Sequence, residues 1–399
     1  MGMHIKRLRE EMAKLGLDAV WITSPENHLY LSGFDNPDGW MLITMNRAFD
    51  FADFRYIEAA KREADPDCTV IMPQGGRKVY LLPLIEEEGI RRIGYEDISL
   101  SCRSFELLKA DLPQCEFVPL GMLLEEIRAV KTEDEIEKIV RAQRIAEEAF
   151  EALLKNIRPD MTETEVADEL EYQMKKRGSR KPSFDTIAVS GSNSSSPHGV
   201  PRNVTLEKGF LTMDFGAMCE GYHSDMTRTI VIGKADAEMK RLYDTVLEAQ
   251  LAALAAIREG ESNAAMDKIA RDIIDGAGYE GCFGHSLGHR LPDGERLPGI
   301  GSYAGEFEDH PGLRQAVREI YGYSDERLPA RGYSGGVLGP RFGSVRYSRH
   351  YRVPKRVQRG FPVRKAGRQP VPALSVHAGI EGVSLRHLRG GAGRVCDGG

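Results

Sequence analysis

Two short apolar runs, residues 209–215 and 222–232, each carry one aspartate and are joined by a connection that contains a glycine. They read as a β-hairpin, Leu211-Thr-Met-Asp214-Phe-Gly-Ala against Tyr222-His-Ser-Asp225-Met-Thr-Arg-Thr, turning at Cys219-Glu220. That register sets Asp214 directly opposite Asp225 on one face of the sheet, with Cβ atoms roughly 4.5–5.5 Å apart. Two carboxylates so placed, beside Phe210, Met213 and Phe215, repel each other and lose hydration. The pair then requires a shared proton, a cationic partner or a metal. The alternative needs no site: one aspartate pairs with Arg228 and the other caps a turn.

The sequence around the hairpin predicts two domains. Residues 5–15 have helical spacing, with Leu8, Met12 and Leu15 on one face and Gly16 as the stop. Residues 18–23, 41–45 and 68–72 are short β-rich runs, and 56–64 and 79–88 read as helices between them. This alternation predicts an α/β domain over residues 1–128, its last element ending near Leu120. Thr132 with Glu135, and Thr162 with Glu165, form capping boxes that open helices to about Asn156 and Lys176. Residues 238–257 and 263–274 predict two more helices, with strands at 186–189, 209–215 and 222–232 between the helix pairs. An α+β domain over 129–302 follows.

From about Tyr303 the pattern fails. Gly, Pro and Arg recur without a period of 2.0 or 3.6. Residues 331–399 hold 14 basic residues against two acids, Glu381 and Asp397, a local charge of +12 that leaves −18 on residues 1–330 of a chain whose net charge is −6. A basic tail can bind nucleic acid. Translation out of frame explains it better: codons for Arg349-His-Tyr-Arg-Val353, read one base later, can give Asp-Ile-Ile-Val, an apolar strand. Residues 303–399 are therefore expected to be aberrant and poorly ordered.

Composition excludes several classes. Hydrophobic residues make up 41% and charged residues 29% of the chain, the balance of a soluble globular protein. No apolar run is long enough to cross a membrane. The charged N-terminal segment is not a signal-peptide core, so a cytoplasmic protein is expected. The six cysteines are scattered, with no CxxC pair, and suggest neither a disulfide framework nor a zinc knuckle.

Three histidines join the aspartates. Gly284-His285-Ser-Leu-Gly-His289 holds two imidazoles among glycines, and Ser196-Pro-His198-Gly199 puts a third on a turn. Imidazole with carboxylate is a usual ligand mixture for first-row metals.

In order and spacing these segments, with the Asp53-Phe-Arg-Tyr56 motif and the linker at 128–136, resemble the pita-bread metallopeptidases, in their Xaa-Pro dipeptidase and aminopeptidase P branch. The resemblance covers about residues 3–289. It implies a creatinase-like N-terminal domain, a pita-bread catalytic domain and a homodimer. It also implies two divalent ions, manganese or else cobalt or zinc. Asp214 would chelate one ion, Asp225 would bridge both and His289 would bind the other, while His198 and His285 would position substrate and stabilise the tetrahedral intermediate. A hydroxide shared by the two metals would cleave the bond before proline in dipeptides or short peptides. The family also needs two glutamate ligands after His289. Glu306, Glu308 and Glu319 lack the expected surroundings, so the chain is expected to be impaired. Two other readings are a metal-free creatinase-like hydrolase, disfavoured by the Asp214, Asp225 and His289 set, and a non-catalytic binding protein on the same scaffold.

Overall fold

In a computed structural model of the chain, residues 2–257 and 262–288 are described. His289, Glu306, Glu308, Glu319, the end of the second domain at 302 and the tail at 303–399 all lie outside them. The described residues divide into two compact units, 2–131 and 132–288.

The first unit runs α1 (Met3–Leu15), β1 (Ala19–Ile22), α2 (Pro25–Ser32), β2 (Trp40–Thr44), β3 (Ala48–Phe51), α3 (Ile57–Glu63), β4 (Cys68–Ile71), α4 (Arg77–Glu87), β5 (Arg92–Tyr95), α5 (Cys102–Asp111), β6 (Glu116–Pro119) and α6 (Leu123–Ala129). Its six strands lie in the order β4-β3-β2-β1-β5-β6, with β1 antiparallel to β2 and parallel to β5. Alternate residues of each strand serve opposite faces. Val20 and Ile22 pack with α1, α2 and α6, while Ala19 and Trp21 pack with Leu81 and Ile85 of α4 and Leu108 of α5. Burying both faces of β1 explains why Ala19–Ile22 is a short apolar run without polar alternation. The first helix departs from its predicted face: Ile5, Leu8 and Met12 are buried, but Leu15 is 46% exposed. Gly16 stops the helix one residue later in a left-handed conformation, φ 62°.

The second unit runs α7 (Glu133–Asn156), α8 (Glu163–Lys176), β7 (Ile187–Ser190), β8 (Gly209–Phe215), β9 (Met218–Cys219), β10 (Tyr222–His223), β11 (Met226–Ile232), α9 (Ala237–Ala256) and α10 (Asn263–Ile274). Thr132 and Glu135, and Thr162 and Glu165, form both reciprocal capping pairs. Strands β11, β8 and β7 form an antiparallel sheet in that order. Leu211, Met213 and Phe215 of β8 and Met226, Ile230 and Ile232 of β11 share one core with α7 and α8. The other face carries Thr212, Asp214, Thr227 and Thr229, with Thr212 and Thr229 in side-chain contact at 3.2 Å.

The hairpin register differs from the one expected. Asp214 faces Thr227, not Asp225, and the turn is Glu220–Gly221 rather than Cys219-Glu220. Glu220 and Gly221 both have positive φ, 50° and 84°, the backbone of a two-residue turn whose twist matches its strands. Gly221 supplies the conformation that Cys219 cannot. The slip is two residues, so it preserves the face each side chain points to.

Gly216 makes the hairpin close. A Cβ there would lie 1.9 Å from the Ser224 carbonyl oxygen. Ser183 N donates to the Gly216 carbonyl at 2.9 Å from a third segment, which leaves the backbone little room to give. Gly216→Ala is expected to lower unfolding free energy by about 3 kcal/mol or more. Urea unfolding measures it, and a loss below about 1 kcal/mol would show that the strands part easily at this point.

Candidate active site

Asp214 is the penultimate residue of β8 and Asp225 immediately precedes β11. Asp214 is 6% exposed and Asp225 4%. Thr227 Oγ1 donates to Asp214 Oδ1 at 2.9 Å, which fixes the carboxylate's rotation. Asp225 lies just outside the ladder, which begins with Met226 opposite Phe215; carrying the strand's alternation back from Thr227 would set it on the face of Asp214. Of the apolar neighbours expected around the pair, Met213 and Phe215 point to the helix-covered face instead. Arg228 lies opposite Met213, on the phase of that face, and donates Nη1 to the Thr227 carbonyl at 2.8 Å.

His198 sits on a β-turn, Ser196 to Gly199, closed by Gly199 N donating to the Ser196 carbonyl at 3.0 Å. The imidazole is exposed. His285 follows a π-helical turn, Asp275–Tyr279, and is half-buried. Its Nδ1 lies 2.8 Å from the Ser286 carbonyl oxygen, and its ring meets Phe283 edge to face at 5.0 Å. Among the described residues no three His, Cys, Asp or Glu side chains are grouped to hold a metal. The structure therefore places Asp214 within β8 and Asp225 just before β11, both buried, and His198 and His285 on two other segments.

Several residues that shape the site carried no signal in the sequence. Asp267 and Arg271 of α10 pair at 2.9 Å, and both reach the His285 segment. Arg271 donates to the Phe283 and His285 carbonyls at 2.5 and 3.1 Å, while Asp267 Oδ1 accepts from Leu287 N at 2.8 Å. Glu163, the first residue of α8, is fully buried and accepts from Ser190 and Arg202 on either side of His198. His223 is 5% exposed and lies two residues before Asp225.

Burial alone would raise the Glu163 carboxyl. Hydrogen bonds from Arg202 and Ser190 outweigh that and hold it at about 2. A carboxyl depressed in the folded state stabilises the fold above its unfolded value, and that contribution fades as pH falls towards 2. Wild type is expected to exceed Glu163→Gln by about 2–3 kcal/mol near pH 6, with the gap closing below pH 4. Urea midpoints for both at the two pH values measure it, and a pH-independent gap would count against this account.

A sheet backed by one helix pair and carrying two buried carboxylates, preceded in the chain by a separate α/β unit, fits the pita-bread metallopeptidase architecture. The sequence of residues 137–300 matches metallopeptidase family M24, and residues 4–130 match the creatinase/prolidase N-terminal domain. An Xaa-Pro dipeptidase of Pyrococcus horikoshii is 37% identical over 293 residues, 72% of this chain and 81% of that one. The structure resembles an Xaa-Pro dipeptidase from Bacillus anthracis (TM-score 0.69, 37% identity, 73% of this chain and 81% of that one). It also resembles an X-Pro aminopeptidase from Thermotoga maritima (TM-score 0.67, 35% identity, 71% and 82%). The chain belongs to metallopeptidase family M24, with a creatinase/prolidase N-terminal domain. No helix among the described residues is long and apolar enough to cross a membrane.

Proposed function

We propose that this scaffold hydrolyses the bond before proline in dipeptides or short peptides. The observation that carries the reading is the pair of buried carboxylates, Asp214 and Asp225, within one hairpin. Burying two like charges is costly unless cations compensate them. Hard oxygen donors with an imidazole suit manganese, cobalt or zinc. Asp214 and Asp225 would hold the ions together with His289, Asp225 bridging them. When bound, a divalent pair supplies an activated water and polarises the scissile carbonyl. Thr227 keeps Asp214 in one rotamer while it does so.

His198 and His285 act on the substrate. With Nδ1 donating to the Ser286 carbonyl, His285 keeps Nε2 for the substrate. Protonated there, it donates to the carbonyl oxygen as charge develops on it. His198, on an exposed turn, binds the peptide from another side. A homodimer is expected, as the family resemblance implies.

The chain as it stands has two ligands fewer than this chemistry needs. We read the sequence after His289 as out of frame, and the intact enzyme as the version with its frame restored. The test is substrate discrimination. With manganese, the restored chain should cleave Ala-Pro at least roughly a hundredfold faster than Ala-Ala, and chelator should abolish the activity. Equal rates on the two dipeptides would remove proline from the proposal. For the literal chain the second reading, a binding protein on this scaffold, is favoured by the absence of glutamates in the expected surroundings.

A further inference from the structure

The loop that carries His198 has a composition that by itself would be flexible: Gly191-Ser-Asn-Ser-Ser-Ser-Pro-His198-Gly-Val-Pro-Arg202. In the structure it is gathered onto one side chain. Glu163 Oε1 accepts from Ser190 N at 2.7 Å, Ser190 Oγ at 2.9 Å and Arg202 Nη2 at 2.8 Å. Its Oε2 accepts from Arg202 N at 3.0 Å, Arg202 Nε at 2.9 Å and Asn193 Nδ2 at 3.3 Å. The two residues that flank the loop and one within it thus meet at a carboxylate with no exposed surface.

These bonds are not a helix cap. The start of α8 is already satisfied by Thr162 and Glu165, which bond each other's backbone N–H groups at 3.1 and 2.7 Å. Glu163 turns its carboxylate away from its own helix. The middle of the loop is constrained as well. Gly199 lies against β7, where a Cβ would come within 2.9 Å of Val189 Cγ1, so the His198 turn is seated on the sheet. With its ends fixed and its turn seated, the loop leaves His198 few backbone alternatives, although the imidazole itself is exposed.

We propose that Glu163 is the positioning residue for His198. It fixes both ends of the loop through Ser190 and Arg202, and so sets where the imidazole stands. This rests on the reading of His198 as a group that acts on substrate.

The full chain carries the test, labelled with 13C-histidine, as wild type, Glu163→Gln and Arg202→Ala. The His198 signal is assigned by its absence in His198→Ala. Amide hydrogen exchange is followed in parallel. Glu163→Gln should shift or broaden the His198 signal and speed exchange across residues 191–201 by about tenfold or more through local openings that do not depend on urea, while β8 and β11 lose only the protection that the global loss of stability removes. Arg202→Ala, which leaves the Ser190 and Asn193 bonds in place, should act in the same direction with smaller effect. An unaltered His198 signal would overturn the proposal. So would exchange across residues 191–201 that speeds only through the urea-dependent global opening shared with β8 and β11, which would make Glu163 a general support of the fold. Should Glu163→Gln fail to fold, Arg202→Ala alone decides. Failure of the reading beneath is separately visible: His198→Ala would leave Ala-Pro cleavage by the frame-restored chain undiminished.

Discussion

The literal 399-residue chain should cleave an Xaa-Pro dipeptide at least about a hundredfold more slowly than the frame-restored version under the same manganese loading. On the proposed assignment three ligands, Asp214, Asp225 and His289, would remain of the five the chemistry uses. Loss of a group that merely orients a ligand already costs roughly 10–100-fold in metal affinity or activity. Two lost ligands multiply to at least that square, and the remaining donors leave the cations poorly compensated. Purifying both proteins and assaying them side by side gives the ratio. Comparable, chelator-sensitive activity from the literal chain would refute the claim, and would mean that Glu306, Glu308, Glu319 or another acid completes the site.

Asp225→Asn in the frame-restored chain should erase both activity and the response of stability to metal. A ligand present at a hundred times its dissociation constant stabilises the folded state by about 2.7 kcal/mol. For a domain of this size that is roughly 5–10 °C in Tm. Manganese should therefore raise the Tm of the parent and leave Asp225→Asn within about 2 °C of its metal-free value. Elemental analysis should find the bound metal reduced from two ions per chain to one or none. The thermal readout needs no turnover, so it tests Asp225 as a ligand even if the substrate assignment is wrong. A full manganese shift in the variant would move the bridging role to another residue.

How much of this was legible depends on how local the cause is. Both capping boxes could be read directly, because Thr132 and Glu135, and Thr162 and Glu165, act within one turn of helix. The hairpin could be read too, since its strands are long and apolar. Its register could not be read from strand composition. The deciding signal was Gly221, whose left-handed backbone, shared with Glu220, sets the turn and moves Asp214 from Asp225 to Thr227. In the first unit the four-residue strands β3, β5 and β6 are too short to show a period, and α2 is buried along much of its length and so lacks a polar stripe. The supports of the site were least legible. Glu163 reads as an ordinary acid in a first helical turn, yet its partners lie 27–39 positions downstream. Asp267 and Arg271 read as a surface i,i+4 pair, and nothing local shows that their remaining hydrogen bonds hold the His285 segment.

The last helix of the first unit belongs to its core. Leu124 of α6 is buried with Leu8 and Met12 of α1, and Arg128 donates to Asn27 Oδ1 at 2.6 Å, inside a polar network that also ties Ser24 and Asn27 to Glu96. Arg7 near the start of the unit donates to the Val130 carbonyl at its end, 2.9 Å away. A fragment cut at Leu120 would therefore lose Leu124 from the core and leave Asn27 without Arg128, whereas one cut after Lys131 keeps both. With its first and last helices side by side, the unit enters and leaves the chain at one place. That is the geometry of a cassette: new ends could be opened at an exposed loop and the old ones joined by a short linker, with the sheet order unchanged.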